Sequence, residues 1–233
     1  MPERNVPWVI KGVILDVDGT LVDSNKEHAK AWVEAFEDNG YRTDLAKIVK
    51  MIGMGGDKLM PMAIGVEKDS PEGKRISDRR KDIFMQKYLP HLQPTPGARE
   101  LLERMRQGGL ILVVASSAQE DELRPLLEVA GATDLLQQKT SSNEANESKP
   151  DPDIVNVALK KIGLPAAQAV MIGDTPYDIE AAARASVPTV AVRSGGWSDS
   201  TLRGAIAIYD NPADLLAHYD QSVFGLQTAK LVR

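Results

Sequence analysis

The sequence predicts an α/β protein, a doubly wound and mainly parallel sheet into which a helical block is inserted. Three observations predict it. Short apolar runs rich in β-branched residues recur along the chain, at residues 8–15, 110–115, 169–172 and 188–192, with a weaker one at 205–209. Runs of this kind are the pattern of strands buried on both faces. Segments of helical periodicity lie between them, and strand–helix alternation at this spacing builds parallel βαβ units. One long stretch, residues 22–93, shows helical patterns and no strand.

The elements follow in order. The run 8–15 (WVIKGVIL) is the first strand. In the inserted stretch, Ala29, Trp32, Val33 and Phe36 share one helical face. Ala98, Leu101, Leu102 and Met105 fall at i, i+3, i+4 and i+7, and Gly108-Gly109 ends that helix. Ile154, Val157, Ala158 and Ile162 make the next apolar face before Gly163, and Ile179, Ala182, Ala183 and Ser186 the last. The insert carries 13 Lys+Arg against 12 Asp+Glu in a chain whose net charge is −5, so it is also a unit of composition. Its borders are the turn at 20–23 and the Pro94-Thr95-Pro96-Gly97 stretch. The expected organisation is a core of residues 1–21 and 94–233 with a helical cap of residues 22–93.

Composition excludes several classes. The 233 residues contain no cysteine, which removes disulfide frameworks, thiolate metal sites and a cysteine nucleophile. This fits a reducing compartment, and a cytoplasmic location is expected. No apolar run is long enough to span a bilayer, so no membrane partner is expected. Residues 1–6, with Glu3 and Arg4 and no apolar centre, do not read as a secretory leader. The negative net charge argues against nucleic acid as the main partner. Oligomeric state is not legible.

In open α/β sheets ligands bind beyond the carboxyl ends of the strands. The first run is followed by Asp16-Val17-Asp18-Gly19-Thr20, the second by Ser116-Ser117, and the third by Gly173-Asp174-Thr175-Pro176-Tyr177-Asp178. Lys149-Pro150 lies upstream of the Ile154 helix. Asp16 and Asp18 are close enough to repel unless a cation neutralises them. With Asp174 they make a donor set of hard oxygens, which suits Mg²⁺. Plainer readings stand beside these. A strand-end Asp also serves turns and caps. Ser117 with Glu120 reads as a capping box. Thr175-Pro176-Tyr177-Asp178 reads as a cap with Pro at the first helical position, which makes Asp178 structural before it is a ligand. Lys149 can be a solvated lysine, or a fixed cation facing a phosphoryl group. His28 can be an ordinary helix residue. The run from Lys74 to Asp82 reads as a solvated helix of mixed charge. The Gly53-Met54-Gly55-Gly56-Asp57-Lys58 loop follows no strand and reads as mobile, facing the strand ends, and the nearby Met51, Met54, Met60 and Met62 as core filler.

Taken together, Asp16-Val17-Asp18-Gly19-Thr20, Ser116, Lys149-Pro150 and Gly173-Asp174-Thr175-Pro176-Tyr177-Asp178 resemble, in order and spacing, the four motifs of the haloacid dehalogenase superfamily. The likeness covers essentially the whole chain, and within the superfamily it is to the branch of phosphoglycolate phosphatases, sugar-phosphate phosphatases and β-phosphoglucomutase. It implies a Rossmann-like core with a small α-helical cap. It also implies an Mg²⁺-dependent phosphatase of a small phosphorylated metabolite, working through an aspartyl-phosphate. Asp16 would be the nucleophile, and Asp18 the acid and then the base. Asp16, the Asp18 carbonyl and Asp174 would hold the metal. Ser116, with Thr20, Ser117 and Ala118 nearby, would hold phosphoryl oxygens, and Lys149 would neutralise charge. Asp178 would support the metal waters or Lys149. His28 and Lys58 are candidate substrate contacts from the cap. Asp18 is absent from the dehalogenases and the phosphonoacetaldehyde hydrolases, which disfavours both. A mutase is the main alternative, disfavoured by the short Gly53–Leu59 loop. A non-catalytic binding protein on the same fold is the other.

Overall fold

The structure, a computed structural model, describes residues 9–136, 138–145 and 147–225. Trp8, the start of the first expected strand, and residues 1–6 lie outside the described residues.

Strand β1 (Gly12–Leu15) is wholly buried. The chain then runs through helices α1 (Asn25–Asp38), α2 (Leu45–Val49), α3 (Gly56–Ile64) and α4 (Pro71–Ile83), with a π-helical turn at Phe84–Tyr88. It returns through α5 (Ala98–Gln107), β2 (Ile111–Ala115), α6 (Glu120–Val129), β3 (Gln138–Thr140), α7 (Asp153–Ile162), β4 (Ala169–Gly173) and α8 (Pro176–Arg184). Strand β5 (Thr189–Val192), α9 (Asp199–Leu202), β6 (Ala207–Tyr209) and α10 (Pro212–Ala217) complete the described chain.

The six strands are parallel, in the order β3-β2-β1-β4-β5-β6. Alternate side chains of each strand enter opposite faces, and the sheet accordingly separates two apolar cores. Val13, Leu15, Val114 and Ile172 pack with α5, α6 and α10. Ile14, Val113, Ala115 and Met171 pack with α7 and α8. This is the doubly wound, Rossmann-like arrangement that the alternating pattern predicts.

Strand order reverses between β1 and β4, and Leu15 pairs with Ile172. The residues that follow these two strands, Asp16 and Asp174, therefore leave the sheet side by side at its switch point. The inserted stretch begins and ends at one place, because Val22 bridges Pro94 and Asp23 N–H donates to the Gln93 carbonyl at 3.1 Å. Trp32, Phe36, Ile48, Leu59, Met60, Ile76 and Phe84 fill its interior. Met51 and Met54 are also buried, whereas Met62 is exposed.

Two local expectations need correction. Ser117 does not cap α6; Gln119 holds the cap position with no side-chain bond, and the helix starts at Glu120. Ser117 Oγ instead donates to the Gly53 carbonyl at 3.2 Å, a contact with the insert that outcompetes the local cap. Strand β3 was not expected at all, since Gln138-Lys139-Thr140 is a short polar edge strand with no apolar run to mark it.

Candidate active site

Three carboxylates meet at the switch point. One oxygen each from Asp16, Asp174 and Asp178 lies within 4.8 Å of the others, and all three residues are buried. Asp16 follows β1 and its N–H donates to the Ile172 carbonyl at 2.9 Å, which ties it to β4. Asp174 follows β4. Its Oδ1 accepts from Thr20 Oγ1 at 3.1 Å and its Oδ2 from Asn25 Nδ2 at 2.7 Å. The space it occupies depends on two glycines, because a Cβ at Gly19 or Gly195 would collide with the Asp174 carboxylate. Gly19 also has φ +77°, a conformation that side chains disfavour.

Asp178 does two jobs. Thr175 Oγ1 accepts from Asp178 N–H at 3.2 Å and Asp178 Oδ2 accepts from Thr175 N–H at 3.0 Å, the reciprocal capping box read from the sequence. Its Oδ1 accepts from Lys149 Nζ at 2.7 Å. Lys149 is completely buried and also donates to Asp16 Oδ1. The lysine is therefore a fixed counter-charge locked between the capped helix α8 and the end of β1, not a solvated surface group.

Electrostatics expose an imbalance. Burial, reinforced by the neighbouring Asp178 charge and only partly offset by Lys149, pushes Asp16 up to about 7. Burial with the charges of Asp16 and Asp178 pushes Asp174 well above the usual carboxylate range. For Lys149, burial works to lower the pKa, but Asp16 and Asp178 outweigh it and raise it. One ammonium does not balance three clustered carboxylates. The oxygen-only donor set and its excess negative charge fit a hard divalent cation.

Asp18 lies apart from that cluster. Its Oδ1 accepts from Ser24 Oγ at 2.5 Å and faces His28 Nε2 at 2.8 Å. Burial alone would raise Asp18, but the charge and hydrogen bond of His28 and the Ser24 hydroxyl hold it below its ordinary value. His28 is buried and stacks on Phe84 with ring centroids 3.8 Å apart. A residue that reads equally as plain helix surface thus sits against the second acid.

A cavity of about 50 Å³ opens onto these groups, lined by Asp16, Asp18, His28, Gly53–Gly56, Ser117 and Ala118 among others. Thr20 and Ser116 are buried and do not line it; Ser116 Oγ accepts from Ala118 N–H at 3.1 Å. The glycine loop is held against the core, with Gly55 N–H donating to Ser148 Oγ at 3.1 Å. Lys58 is not among the lining residues. Its ammonium pairs with Glu147, and with Asp151 at 3.2 Å. Sequence reasoning missed Asn25, Arg80 and Glu122, which touch the site from α1, α4 and α6. No local motif marks them; only the fold brings them in.

Residues 13–192 match the family model of the haloacid dehalogenase-like hydrolases. The chain belongs to that family. A phosphoglycolate phosphatase of Rhodospirillum rubrum is 32% identical over 215 residues, covering 88% of this chain and 89% of the relative. An N-acetylmuramic acid 6-phosphate phosphatase of Pseudomonas aeruginosa is 25% identical over 218 residues, 92% of this chain and 96% of the relative. Among solved structures, a hydrolase from Pseudomonas syringae superposes with a TM-score of 0.84 at 30% identity, covering 91% of this chain and 98% of that one. These haloacid dehalogenase-like relatives span nearly the full chain, so the likeness includes the inserted helices as well as the sheet. No helix among the described residues is long and apolar enough to cross a membrane.

Proposed function

We propose that this chain is a Mg²⁺-dependent, cytoplasmic phosphatase of small phosphorylated metabolites that works through a phosphorylated Asp16. The observation that carries this reading is the Asp16 carboxylate, held by a buried lysine beside a second strand-end carboxylate and facing a cavity. Relatives named as phosphatases of small phosphate esters support it.

The residues divide the work as follows. Asp16 Oδ2, which accepts from Thr20 Oγ1 at 3.4 Å rather than from Lys149, attacks phosphorus; an Asp–O–P bond forms and the ester P–O bond breaks. Asp18 passes a proton to the departing alkoxide; its carboxylate, held below its ordinary value, must first take that proton up, and His28 Nε2 at 2.8 Å is the neighbouring group placed to pass it on. In the second step Asp18 takes a proton from water, the water oxygen bonds phosphorus, and Asp16 is released with inorganic phosphate. Lys149 stabilises the charge that gathers on Asp16 and the phosphoryl group. Ser117 and Ala118, on the cavity wall, would hold phosphoryl oxygens, and Ser116 would position that turn by accepting from Ala118 N–H. Asp16, Asp174 and the Asp18 carbonyl would hold Mg²⁺, with Asp178 supporting through Lys149. When bound, Mg²⁺ supplies charge neutralisation and polarises phosphoryl oxygens. The helical segment 22–93 acts as a lid that closes over the cavity and excludes water.

The short Gly53–Leu59 loop favours hydrolysis over a mutase. Phosphate release from an aryl phosphate, sugar phosphates, phosphoglycolate and nucleotides tests the reading. Release is expected with Mg²⁺ and lost with EDTA; isomerised sugar phosphate with little free phosphate would point to the mutase instead.

A stability measurement follows from the charge imbalance. Asp16 and Asp174 have folded-state pKa values above the unfolded value, so the folded chain binds more protons than the unfolded chain above about pH 4. Stability of the metal-free protein is therefore greatest at low pH in this window, and is lost as pH rises through about 7. The melting temperature without metal is expected to be higher at pH 5.5 than at pH 8. Mg²⁺ at a hundred times its Kd adds about 2.7 kcal/mol, roughly 5–10 °C in Tm for a chain of this size. The gain is expected to be larger at pH 8 than at pH 5.5; an equal gain would contradict the assignment of these acids as its ligands.

A further inference from the structure

The crevice between the inserted helices and the sheet gathers buried polar atoms that the mechanism does not use. The cavity at Asp16 is also lined by Arg80 and Glu122. A second space of about 30 Å³ shares that pair and extends to Ser77, with Lys68, Asp78 and Lys81 also on its walls. Arg80 Nη1 donates to Glu122 Oε2 at 2.5 Å, and the guanidinium lies 5.0 Å over the Trp32 ring. Glu122 is only 1% exposed. Yet Arg80 Nε, Glu122 Oε1 and Ser77 Oγ are buried without a hydrogen-bond partner. Folded proteins rarely leave such atoms unpaired, and three in one crevice call for a ligand that completes them.

Charge decides what kind of ligand. Of the cations near Asp16, Lys149 is held by Asp16 and Asp178, and Arg80 is neutralised by Glu122. Among the described residues that line the catalytic cavity, Arg80 is the sole lysine or arginine. A carboxylate on the substrate would thus enter beside a buried glutamate and meet a cation already taken. A hydroxyl is different, since it offers a donor to Glu122 Oε1 and an acceptor to Arg80 Nε, and Ser77 can serve either way.

We infer that Arg80, Glu122 and Ser77 form a hydroxyl-selecting subsite, which favours phosphate esters of small polyols over esters that carry a carboxylate. This rests on the phosphatase reading and names its substrate class. Glycerol 3-phosphate and phosphoglycolate make a suitable pair, similar in size and differing in hydroxyls against a carboxylate.

The test measures kcat/KM for both esters, with an aryl phosphate as reference, on the wild-type chain with Mg²⁺ and on Glu122→Gln and Ser77→Ala. The wild-type ratio is expected to favour glycerol 3-phosphate by about tenfold or more, as for a site built around a substrate hydroxyl. Glu122→Gln frees the Arg80 charge and is expected to lower that ratio at least about fivefold, through a fall in KM for phosphoglycolate. Ser77→Ala is expected to raise KM for glycerol 3-phosphate. A merely structural role would move both esters together and leave the ratio unchanged. A wild-type ratio below tenfold, or one that neither folded variant lowers fivefold, overturns the inference. If Glu122→Gln does not fold, the wild-type ratio and Ser77→Ala decide. No turnover of any ester by the wild-type chain, the aryl phosphate included, would overturn the phosphatase reading itself, whereas wild-type aryl hydrolysis with a preference for phosphoglycolate would sink only the subsite.

Discussion

Asp16→Asn is expected to lower turnover by at least ~10⁴-fold, the scale seen when a covalent nucleophile is removed, without loss of the fold. Asparagine has nearly the same shape and can still accept from Lys149, but it cannot carry the attacking negative charge. Its effect on stability should run the other way. Burial and Asp178 push Asp16 up to about 7, so at pH 8 its charged form is held against resistance. A neutral side chain removes that resistance, and the metal-free variant is expected to melt at or above the wild-type temperature at pH 8. Calorimetry with a phosphate-release assay checks both. Near-normal turnover would rule out Asp16 as nucleophile, and collapse of the fold would show that its charge is structural.

Lys149→Met should damage stability and activity together. Lys149 is fully enclosed and pairs with two buried carboxylates, Asp16 and Asp178. Methionine fills a similar volume but leaves those two acids without their counter-charge. Breaking a buried ion pair from one side costs about 3–5 kcal/mol, on the order of 10 °C in Tm for a domain of this size. Turnover should fall by about 10²–10³-fold, the usual cost of one preorganised electrostatic partner. Added Mg²⁺ should recover part of the lost stability, because it offsets the same negative cluster, but not the turnover. A variant that melts normally would show that Lys149 does not balance these acids.

The chemistry at the centre was legible because it is encoded locally. Asp16 and Asp174 each follow an unmistakable apolar run, and the topology of parallel strands places both at one edge. The Thr175–Asp178 capping box was legible for the same reason, since it closes within four residues. Contacts that close over long distances were not. Ser117 carried a valid capping signature, yet its hydroxyl bonds Gly53, 64 residues away. Arg80 sits in a run of alternating charges that reads as a solvated helix, and its neighbours Arg75 and Arg79 are indeed exposed. Its partners Glu122, 42 residues on, and Trp32, on another helix, turn Arg80 inward. Periodicity did not distinguish His28 from a surface helix residue, and only the family resemblance singled out the ring that stacks on Phe84 and bonds Asp18. Strand β3 escaped notice because an edge strand needs little apolar surface.

The central claim is that a phosphoryl group passes through the Asp16 side chain, and chemical trapping tests it most directly. The wild-type chain is mixed with Mg²⁺ and a phosphate ester, quenched during turnover and treated with borohydride, which reduces an aspartyl-phosphate to homoserine. Peptide mass spectrometry then locates the change. The account predicts conversion at position 16 alone, dependent on both ester and Mg²⁺. Conversion at Asp18, Asp174 or Asp178 instead, or steady turnover with position 16 unmodified, would contradict it.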